Sequence, residues 1–356
     1  MIACLSRNNR AHRLFDELLA LNSEFVDAGQ VKFSRSSRYR SALASLRFNY
    51  KQFYTDTHFS PILARDMEKR GGELLSKTPQ ATRILYWGAM NFPTVRSKSS
   101  LPYSVITDGP YDPDDPGYPV QWKPARWSKE YLRRQHGIYG GAERVFTLSD
   151  WARDKILRIH NLSPDKVVRI GWGPMHLGAA PKFEISGSGY FISVGTEWKV
   201  KGMDIAVQAT AILRRKYPEA YIVLVGEPQG LTIPKTEGVV QMPYSVPGRV
   251  TQTLIANARA VVAASRFDSA LHVTYEALQV GTPVIGTRVA GVPEGIQAPR
   301  GGRVVPKEDP EALAAAMEDI WTENVAKQRE NAYQVYVESG GWKRSAQIIA
   351  SEMGLA

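Results

Sequence analysis

Residues 190–226 read YFISVGTEWKVKGMDIAVQATAILRRKYPEAYIVLVG, with a short β-rich run at each end and a helical segment between them. From about Gly202 to Tyr217 the apolar residues recur at helical spacing. They are Ile205, Ala209, Ile212 and Leu213. A strand, a helix and a second strand in this order are typical of a parallel sheet covered by helices.

The same alternation extends in both directions from this stretch. Two more β-rich runs follow it, AVVAAS (260–265) and PVIGT (283–287). Four precede it: RILYWG (83–88), YSVITD (103–108), RVFTLS (144–149) and KVVRIG (166–171). Ser149 is placed to cap a following helix. We therefore predict an α/β fold with two Rossmann-like domains facing each other across a cleft.

The domain boundaries are predicted from length and local composition. A chain of 356 residues favours two domains. The stretch GAAPKFEISGSG (178–189) mixes Gly, Pro and Ser between strand-like runs. We assign residues 1–180 to an N-terminal domain, 181–189 to a linker and 190–330 to a C-terminal domain. Residues 331–356 are expected to form a helix that packs back on the N-terminal domain.

Composition excludes several classes of protein. With 43% hydrophobic and 22% charged residues the chain is globular, neither disordered nor fibrous. The single cysteine, Cys4, allows no internal disulfide and no cysteine-rich zinc site. No apolar run approaches the roughly 18 residues of a membrane span. A soluble, cytoplasmic protein is expected, with a peripheral position at the inner membrane face as an alternative.

Positive charge is concentrated in the first half of the chain. The formal net charge is +10, and residues 1–185 hold 28 Lys and Arg against 18 Asp and Glu, whereas residues 186–356 hold 17 of each. A basic half beside a neutral half indicates an anionic partner. Nucleic acid, an acidic lipid surface and a phosphorylated acceptor all fit this charge.

The segment VKFSRSSRYRSALASLRFNYKQFYT (31–55) is both basic and aromatic. Its basic residues are Arg35, Arg38, Arg40, Arg47 and Lys51. Apolar residues at helical spacing, namely Leu43, Leu46, Tyr50 and Phe53, predict an amphipathic helix. The interpretation we favour packs this apolar stripe on the core; the alternative is a membrane or ligand surface.

The stretch SRFDSALHVTYEALQVGTPVIGTRVAGVPEGI (265–296) places Asp268 and Glu276 around a strand-to-helix transition. Backbone amides at the helix start, those of Ser269, Ala270 and Leu271, would favour a diphosphate. Asp268 can then accept hydrogen bonds from sugar hydroxyls and Glu276 from a ribose. A capped helix with two surface acids is the alternative.

Several of these elements occur together in one known family. GTEWKVKGMDIAVQA (195–209), YIVLVGE (221–227), EALQVGTPVIGT (276–287) and AGVPEGI (290–296) stand in family order. The chain resembles, over roughly residues 144–322, the retaining, nucleotide-sugar-dependent glycosyltransferases of the GT-B fold, family four. The resemblance before residue 144 is weak.

The resemblance implies roles for individual residues. Lys201 looks like the lysine that binds the donor pyrophosphate, where it neutralises the leaving diphosphate without a metal. Glu276 matches the acid that binds the ribose. Asp268 replaces an acid, usually Glu, that holds the transferred sugar. Gly195 and Thr196 belong to the same donor site, and backbone around Met242 and Tyr244 is expected to contact the base.

Two departures from the family pattern concern charged or polar positions. Thr196 stands where the family has Arg after the strand, and Lys199 is a candidate substitute. Thr107 and Asp108 stand where many members have a His near the donor sugar. Asp108 is our candidate for the polar group facing the reacting carbon and completes the catalytic set with Lys201 and Asp268. A turn aspartate before Gly109 is the alternative.

The implied function is transfer of a sugar from a nucleoside-diphosphate sugar to an acceptor hydroxyl with retention, as in polysaccharide biosynthesis. No cofactor or metal is expected: the six His show no metal spacing, and Asp112, Asp114 and Asp115 lie in a Pro- and Gly-rich surface turn. The acceptor is expected to be an anionic glycan or a lipid-linked saccharide. Alternatives are a nucleotide-sugar epimerase or hydrolase, and a non-catalytic or nucleic-acid-binding protein on a degenerate GT-B scaffold, although no nucleic acid is expected.

Overall fold

The computed structural model describes residues 1–6, 12–32, 34–45, 56–57, 59–88, 101–119, 123, 126–175, 189–226, 232–243, 249–269 and 272–355. The chain forms two compact units, Met1–Gly171 with Trp342–Ala356, and Trp172–Gly341. The chain thus passes from the first unit to the second after Gly171, before the linker predicted over 181–189. It returns to the first unit after Gly341, whereas the predicted C-terminal domain ends at residue 330. Of that linker, only Gly189 is among the described residues.

The first unit is a six-stranded parallel sheet in the order β2-β1-β3-β4-β5-β6. Its strands are β1 (Ile2–Ser6), β2 (Phe25–Gln30), β3 (Arg83–Trp87), β4 (Tyr103–Thr107), β5 (Val145–Thr147) and β6 (Val167–Arg169). Its helices in the first part of the chain are α1 (His12–Leu21), α2 (Arg35–Ala44), α3 (Pro61–Leu75), α4 (Ser128–Gly141) and α5 (Asp150–His160). Ser149 caps α5 as predicted, because its hydroxyl accepts a hydrogen bond from the Ala152 amide at 3.2 Å.

The second unit is another six-stranded parallel sheet, in the order β12-β11-β10-β7-β8-β9. Its strands are β7 (Phe191–Val194), β8 (Ile222–Val225), β9 (Val239–Met242), β10 (Ala260–Ala263), β11 (Val284–Thr287) and β12 (Gly302–Val305). Its helices are α6 (Met203–Arg214), α7 (Arg249–Asn257), α8 (His272–Gln279), α9 (Val292–Ile296), α10 (Pro310–Thr322) and α11 (Val325–Ser339). The predicted α/β architecture of two parallel sheets is confirmed.

The last helix, α12 (Gly341–Glu352), packs against the first unit. The Ser345 hydroxyl donates to the Ile170 carbonyl at 2.9 Å, and the Arg83 guanidinium donates to the Met353 carbonyl at 2.8 Å. Trp342 lies edge-on to Trp87, with 5.7 Å between ring centroids. Residues from both ends of the chain therefore build one unit.

The basic segment differs from the prediction. Helix α2 buries Ser37 and Ser41 and exposes Leu43 to 50% of its full area. The interpretation that its apolar stripe packs on the core is therefore wrong at Leu43. Small hydroxyls that hydrogen-bond inward replace the expected apolar contacts. The rest of the predicted stripe and basic surface, Leu46, Arg47, Tyr50, Lys51 and Phe53, lies outside the described residues.

Within the described ranges no helix is both long enough and apolar enough to cross a membrane.

Candidate functional site

The candidate site is built at the carboxyl ends of β7 and β10, which are neighbours in the second sheet. Ligands of parallel α/β sheets bind at this edge. After β7 a tight turn leads through Gly202 into α6, and Gly202 has φ of 65°. A Cβ atom on Gly202 would lie 1.9 Å from the Ala264 carbonyl oxygen, which follows β10. The turn therefore packs against the end of β10 at a distance that glycine alone allows.

Lys201 and Asp268 meet at this edge. The Lys201 Nζ lies 2.5 Å from Asp268 Oδ2, and the two side chains are 25% and 9% exposed. The Arg266 amide donates to the Val200 carbonyl at 2.7 Å, which ties the two loops together. A Cβ on Gly195 would lie 2.9 Å from Lys201 Cγ, so this glycine leaves room for the lysine stem. Sequence reasoning selected both charged residues but not their direct pairing.

Arg266 is a site residue that sequence reasoning missed. Its guanidinium donates to both carboxylate oxygens of Asp204, at 2.7 and 3.0 Å, and to the Lys199 carbonyl at 2.6 Å. It also pairs with Glu308. Burial alone would raise the pKa of Asp204, but the hydrogen bonds from Arg266 and Lys199 hold it below its usual value. The sequence feature that could have indicated Arg266 is its position, two residues before Asp268 in the acidic motif.

Lys199 lies in the same ion network. Its ammonium is 2.9 Å from Asp204 Oδ2, and its side chain is 54% exposed. Lys199 thus forms an ion pair with Asp204 in the first turn of α6. Its expected contact with a donor phosphate stays a prediction.

Glu276 lies inside α8, and burial raises the pKa of its carboxyl to about 7. Among the described residues no hydrogen bond or ion pair to this carboxyl is found. The hydroxyls of Ser265 and Thr274 are also buried and have no hydrogen-bond partner in the described part of the chain. Asp268 is itself buried, at 7% exposure. Asp268 is therefore not a surface acid, and Glu276 is half-buried at a position where loss of solvation favours its protonated form.

Three other predicted donor residues, Thr196, Met242 and Ser269, lie along the same sheet edge. Thr196 follows Gly195 in the turn, and its carbonyl accepts from the Trp198 amide at 3.2 Å. Ser269 precedes α8, whose first residue is His272. Met242 ends the edge strand β9, two strands from β7. Ala270, Leu271 and Tyr244 lie outside the described residues.

In the first unit, Asp108 follows β4 and is half-buried. Burial raises the pKa of the Tyr118 and Tyr139 hydroxyls, and the charge of Asp108 adds to the rise for both. Thr107 Oγ1 accepts from the Gly109 amide at 3.3 Å and lies 3.3 Å from the Tyr139 hydroxyl. Asp108 therefore lies beside polar groups at the carboxyl end of its strand. Its expected role at the reacting carbon stays a prediction.

Two aspartates of the predicted surface turn, Asp112 and Asp115, are mostly buried, whereas Asp114 is exposed. Lys155 Nζ lies 2.7 Å from Asp112 Oδ2 and 2.5 Å from Asp115 Oδ2. The three side chains are 14%, 12% and 17% exposed, so the expectation of an exposed acidic turn is wrong for Asp112 and Asp115. Lys155 supplies the charge that permits this burial. In the described part of the chain no group of three His, Cys, Asp or Glu side chains could hold a metal ion.

Comparison with known proteins finds a family match within the second unit. Residues 188–323 match the family model described as glycosyl transferases group 1. Over 170 residues the chain is 29% identical to D-inositol 3-phosphate glycosyltransferase of Streptomyces scabiei, covering 42% of this chain and 38% of that protein. It is 25% identical over 215 residues to O-antigen chain mannosyltransferase B of Escherichia coli, covering 53% and 55%. The chain thus spans about half or less of the length of these curated relatives.

The solved structures show the fold across the whole chain. WaaG, a glycosyltransferase involved in lipopolysaccharide biosynthesis, aligns with a TM-score of 0.69 at 13% identity, covering 99% of this chain and 100% of WaaG. Sucrose-phosphate synthase of Thermosynechococcus elongatus aligns with a TM-score of 0.67 at 13% identity, covering 99% and 98%. The fold is GT-B, as predicted. The match of residues 188–323 to the group 1 glycosyl transferases confirms the resemblance seen in the sequence.

Proposed function

We propose that this chain transfers a sugar from a nucleoside-diphosphate sugar to an acceptor hydroxyl, with retention of anomeric configuration and without a metal. The observation that carries the proposal is the Lys201–Asp268 pair at the carboxyl edge of the second sheet, together with Glu276 in the following helix α8, where burial raises the pKa of its carboxyl. A cation, a sugar-binding acid and a ribose-binding acid are the groups such a donor requires.

The chemistry needs charge stabilisation on the leaving group. The bond between the anomeric carbon and the diphosphate oxygen breaks, and a bond from that carbon to the acceptor oxygen forms. The acceptor oxygen would attack the anomeric carbon on the same face from which the diphosphate leaves, and the acceptor proton would pass to an oxygen of the departing diphosphate. Lys201 would neutralise the diphosphate, while Asp268 would hold the sugar hydroxyls. Retention rests on the family resemblance.

The proposed acceptor is anionic. Residues 1–185 carry the excess of basic side chains, whereas the remaining residues are balanced. A phosphate or carboxylate on a glycan or a lipid-linked saccharide would be attracted to such a unit. Asp108, at the carboxyl end of β4, is the group that we propose to face the reacting carbon.

The test compares Lys201 with an exposed lysine of the same unit. Lys201→Ala should abolish stabilisation by nucleotide sugars in a thermal-shift screen and lower donor turnover at least about a hundredfold. Lys216→Ala is the control and should change both by less than about threefold, because its side chain is 65% exposed and pairs with Glu318 just beyond the end of α6. The screen uses UDP, GDP, ADP and CMP sugars with a chelator present.

Three results would contradict the proposal. The first is that no nucleotide sugar stabilises the wild type. The second is that both variants lose stabilisation and turnover equally. The third is that turnover stops when a chelator is added. The anomeric proton signal of the product, measured by NMR, decides between retention and inversion. Free sugar as the sole product would favour a hydrolase instead.

A further inference from the structure

Arg266 holds the two carbonyl groups that precede Lys201 in the turn before α6. Its guanidinium donates to the Lys199 carbonyl at 2.6 Å, and its backbone amide donates to the Val200 carbonyl at 2.7 Å. Asp268, which pairs with Lys201, stands two residues after Arg266 in the loop that follows β10. Arg266 therefore contacts the backbone beside one partner of this ion pair and belongs to the same loop as the other.

Two carboxylates hold the Arg266 guanidinium in place. Both oxygens of Asp204, in the first turn of α6, accept from it at 2.7 and 3.0 Å. Both oxygens of Glu308 accept from it as well, one of them at 2.9 Å. Paired hydrogen bonds of this kind fix the geometry of an arginine as well as its charge. The Arg266 side chain is 21% exposed, so these contacts are partly shielded from water and salt.

Every N–H donor of the Arg266 guanidinium has an acceptor. A guanidinium side chain has five such donors. One of them meets the Lys199 carbonyl, two meet Asp204 and two meet Glu308. Binding a phosphate directly would require Arg266 to break one of these contacts. Arg266 is therefore placed to act through its neighbours.

Glu308 has an unusual backbone conformation. Its φ is 60°, in the left-handed region that residues other than glycine seldom adopt. It lies between β12 and α10, directly before Asp309, which caps α10. Strained residues persist where the surrounding structure over-determines them. The pair with Arg266 is one such restraint, and it links the turn after β12 to those after β7 and β10.

We propose that Arg266 is a positioning residue, which holds the turn before α6 so that the Lys201 ammonium meets Asp268 and the donor diphosphate. Without the guanidinium, Asp204 and the Lys199 carbonyl lose their shared partner, and the backbone in front of Lys201 is less constrained. The effect on catalysis rests on the proposed function, whereas the placement of Lys201 rests on the hydrogen bonds of Arg266 alone.

The first measurement is the rate at which trace acetic anhydride labels Lys201, determined by peptide mass spectrometry relative to Lys69 of the first unit. Lys201 is 25% exposed and paired, whereas Lys69 is 77% exposed. Arg266→Gln should raise the relative rate at Lys201 at least about threefold, because the turn no longer holds its ammonium against Asp268.

A second arginine of the same unit is a matched control. Arg303, in β12, is 22% exposed and pairs with Asp319 and Glu323. Arg303→Gln therefore removes a guanidinium of nearly equal exposure and similar pairing, and should leave the labelling of Lys201 unchanged. Arg266→Lys is the milder variant to use if Arg266→Gln fails to fold. It keeps the charge with fewer donors, so it should raise the labelling of Lys201 by a smaller factor.

The second measurement is kcat/KM for the nucleotide sugar that best stabilises the wild type. Arg266→Gln should lower it about tenfold in the wild type and less than about twofold in Lys201→Ala. A residue that acts through Lys201 has no further effect once the ammonium is gone. A general loss of stability would instead lower kcat/KM equally in both backgrounds.

Three results would overturn this role of Arg266. They are unchanged labelling of Lys201 in Arg266→Gln, an equal rise in Arg303→Gln, and equal losses of kcat/KM in both backgrounds. Labelling needs no donor. A wild type that turns over no nucleotide sugar would therefore contradict the proposed function, while the labelling still decides whether Arg266 places Lys201.

Discussion

The ammonium of Lys201 and the carboxylate of Asp268 form a direct ion pair, 2.5 Å apart, between the ends of two neighbouring strands. In the proposed donor complex, a diphosphate would compete with Asp268 for this ammonium. The sugar attached to the diphosphate would offer hydroxyl donors to the released carboxylate. The intact donor would therefore replace the one ion pair by two interactions, whereas the nucleoside diphosphate alone would leave Asp268 without its cation.

Asp268→Asn should separate these two effects. Removing the carboxylate frees Lys201, so affinity for the nucleoside diphosphate should rise roughly fivefold, which corresponds to about 1 kcal/mol, the upper end of the net free energy of an accessible ion pair. Sugar transfer should fall at least about a hundredfold, since the sugar loses its charged acceptor. Calorimetric titration with the diphosphate, together with donor turnover, measures both. A weaker diphosphate affinity in the variant would contradict this account.

Glu276→Gln should stabilise the protein while weakening nucleotide binding. Burial raises the pKa of Glu276 from 4.5 to about 7 in the folded chain. The folded state therefore favours the protonated carboxyl, and its ionisation destabilises the fold as pH rises from about 4.5 through 7. Glutamine cannot ionise, so the free energy of unfolding of the variant should exceed that of the wild type by at most about 3 kcal/mol above pH 7. The difference should vanish near pH 4.5.

Urea unfolding of wild type and Glu276→Gln at pH 5 and pH 8 checks this expectation. Glu219→Gln, a change at an exposed position of the same unit, is the control and should show no gain at either pH. If the variant is as stable as the wild type at both pH values and still binds nucleotide, burial of Glu276 does not destabilise the fold and its carboxyl does not bind the nucleotide.

Gly202→Ala should destabilise the second unit and lower donor binding together. The backbone of Gly202 is left-handed, with φ of 65°, and an added Cβ would collide with the Ala264 carbonyl 1.9 Å away. The strained backbone at residue 202 and the displaced turn that carries Lys201 should lower the free energy of unfolding by about 2 kcal/mol or more. Gly140→Ala in α4 is the comparison, because nothing lies within 4 Å of its added Cβ. Unfolding curves that agree for the two variants would exclude this close contact.

Lys155→Met should make the first unit less stable at neutral pH but not at low pH. Burial would raise the pKa of Asp115, yet the hydrogen bonds from Lys155 and Gly117 hold it below its usual value. The pair therefore stabilises the fold above about pH 4, and this stabilisation is lost as pH falls through the lowered folded pKa. We expect a loss of about 2 to 4 kcal/mol at pH 7.

Urea unfolding at pH 7 and pH 2.5 tests this difference. Lys69→Met is the control, because Lys69 is 77% exposed and 4.0 Å from Glu73. Its effect should stay within about 0.5 kcal/mol. An equal loss from Lys155→Met at both pH values would point to lost packing rather than to the ion pair.

The sequence predicted the parts of the fold that depend on local pattern. The eight predicted strands are present, because alternating β-rich and helical runs follow directly from burial on a parallel sheet. Strand β1 was missed although all its residues are buried, since its apolar run is followed at once by charged residues. Strands β2, β9 and β12 were missed as well, and in each at least two residues are not buried.

The candidate site was predicted residue by residue but not as an arrangement. Lys201 and Asp268 were recognised from motifs that lie far apart in the chain. Their contact depends on β7 and β10 being neighbours, which no local pattern specifies. The orientation of α2 was missed for a related reason. Spacing identifies a face, but the hydrogen-bond partners of Ser41 come from a later part of the chain.

The position of α12 has a consequence for biosynthesis. Because residues 342–355 complete a unit whose sheet begins at Ile2, residues 2–171 cannot finish folding until residue 355 has also left the ribosome. The second unit is continuous and has no such delay. A nascent chain should therefore acquire its later unit as a protease-resistant body before its earlier one.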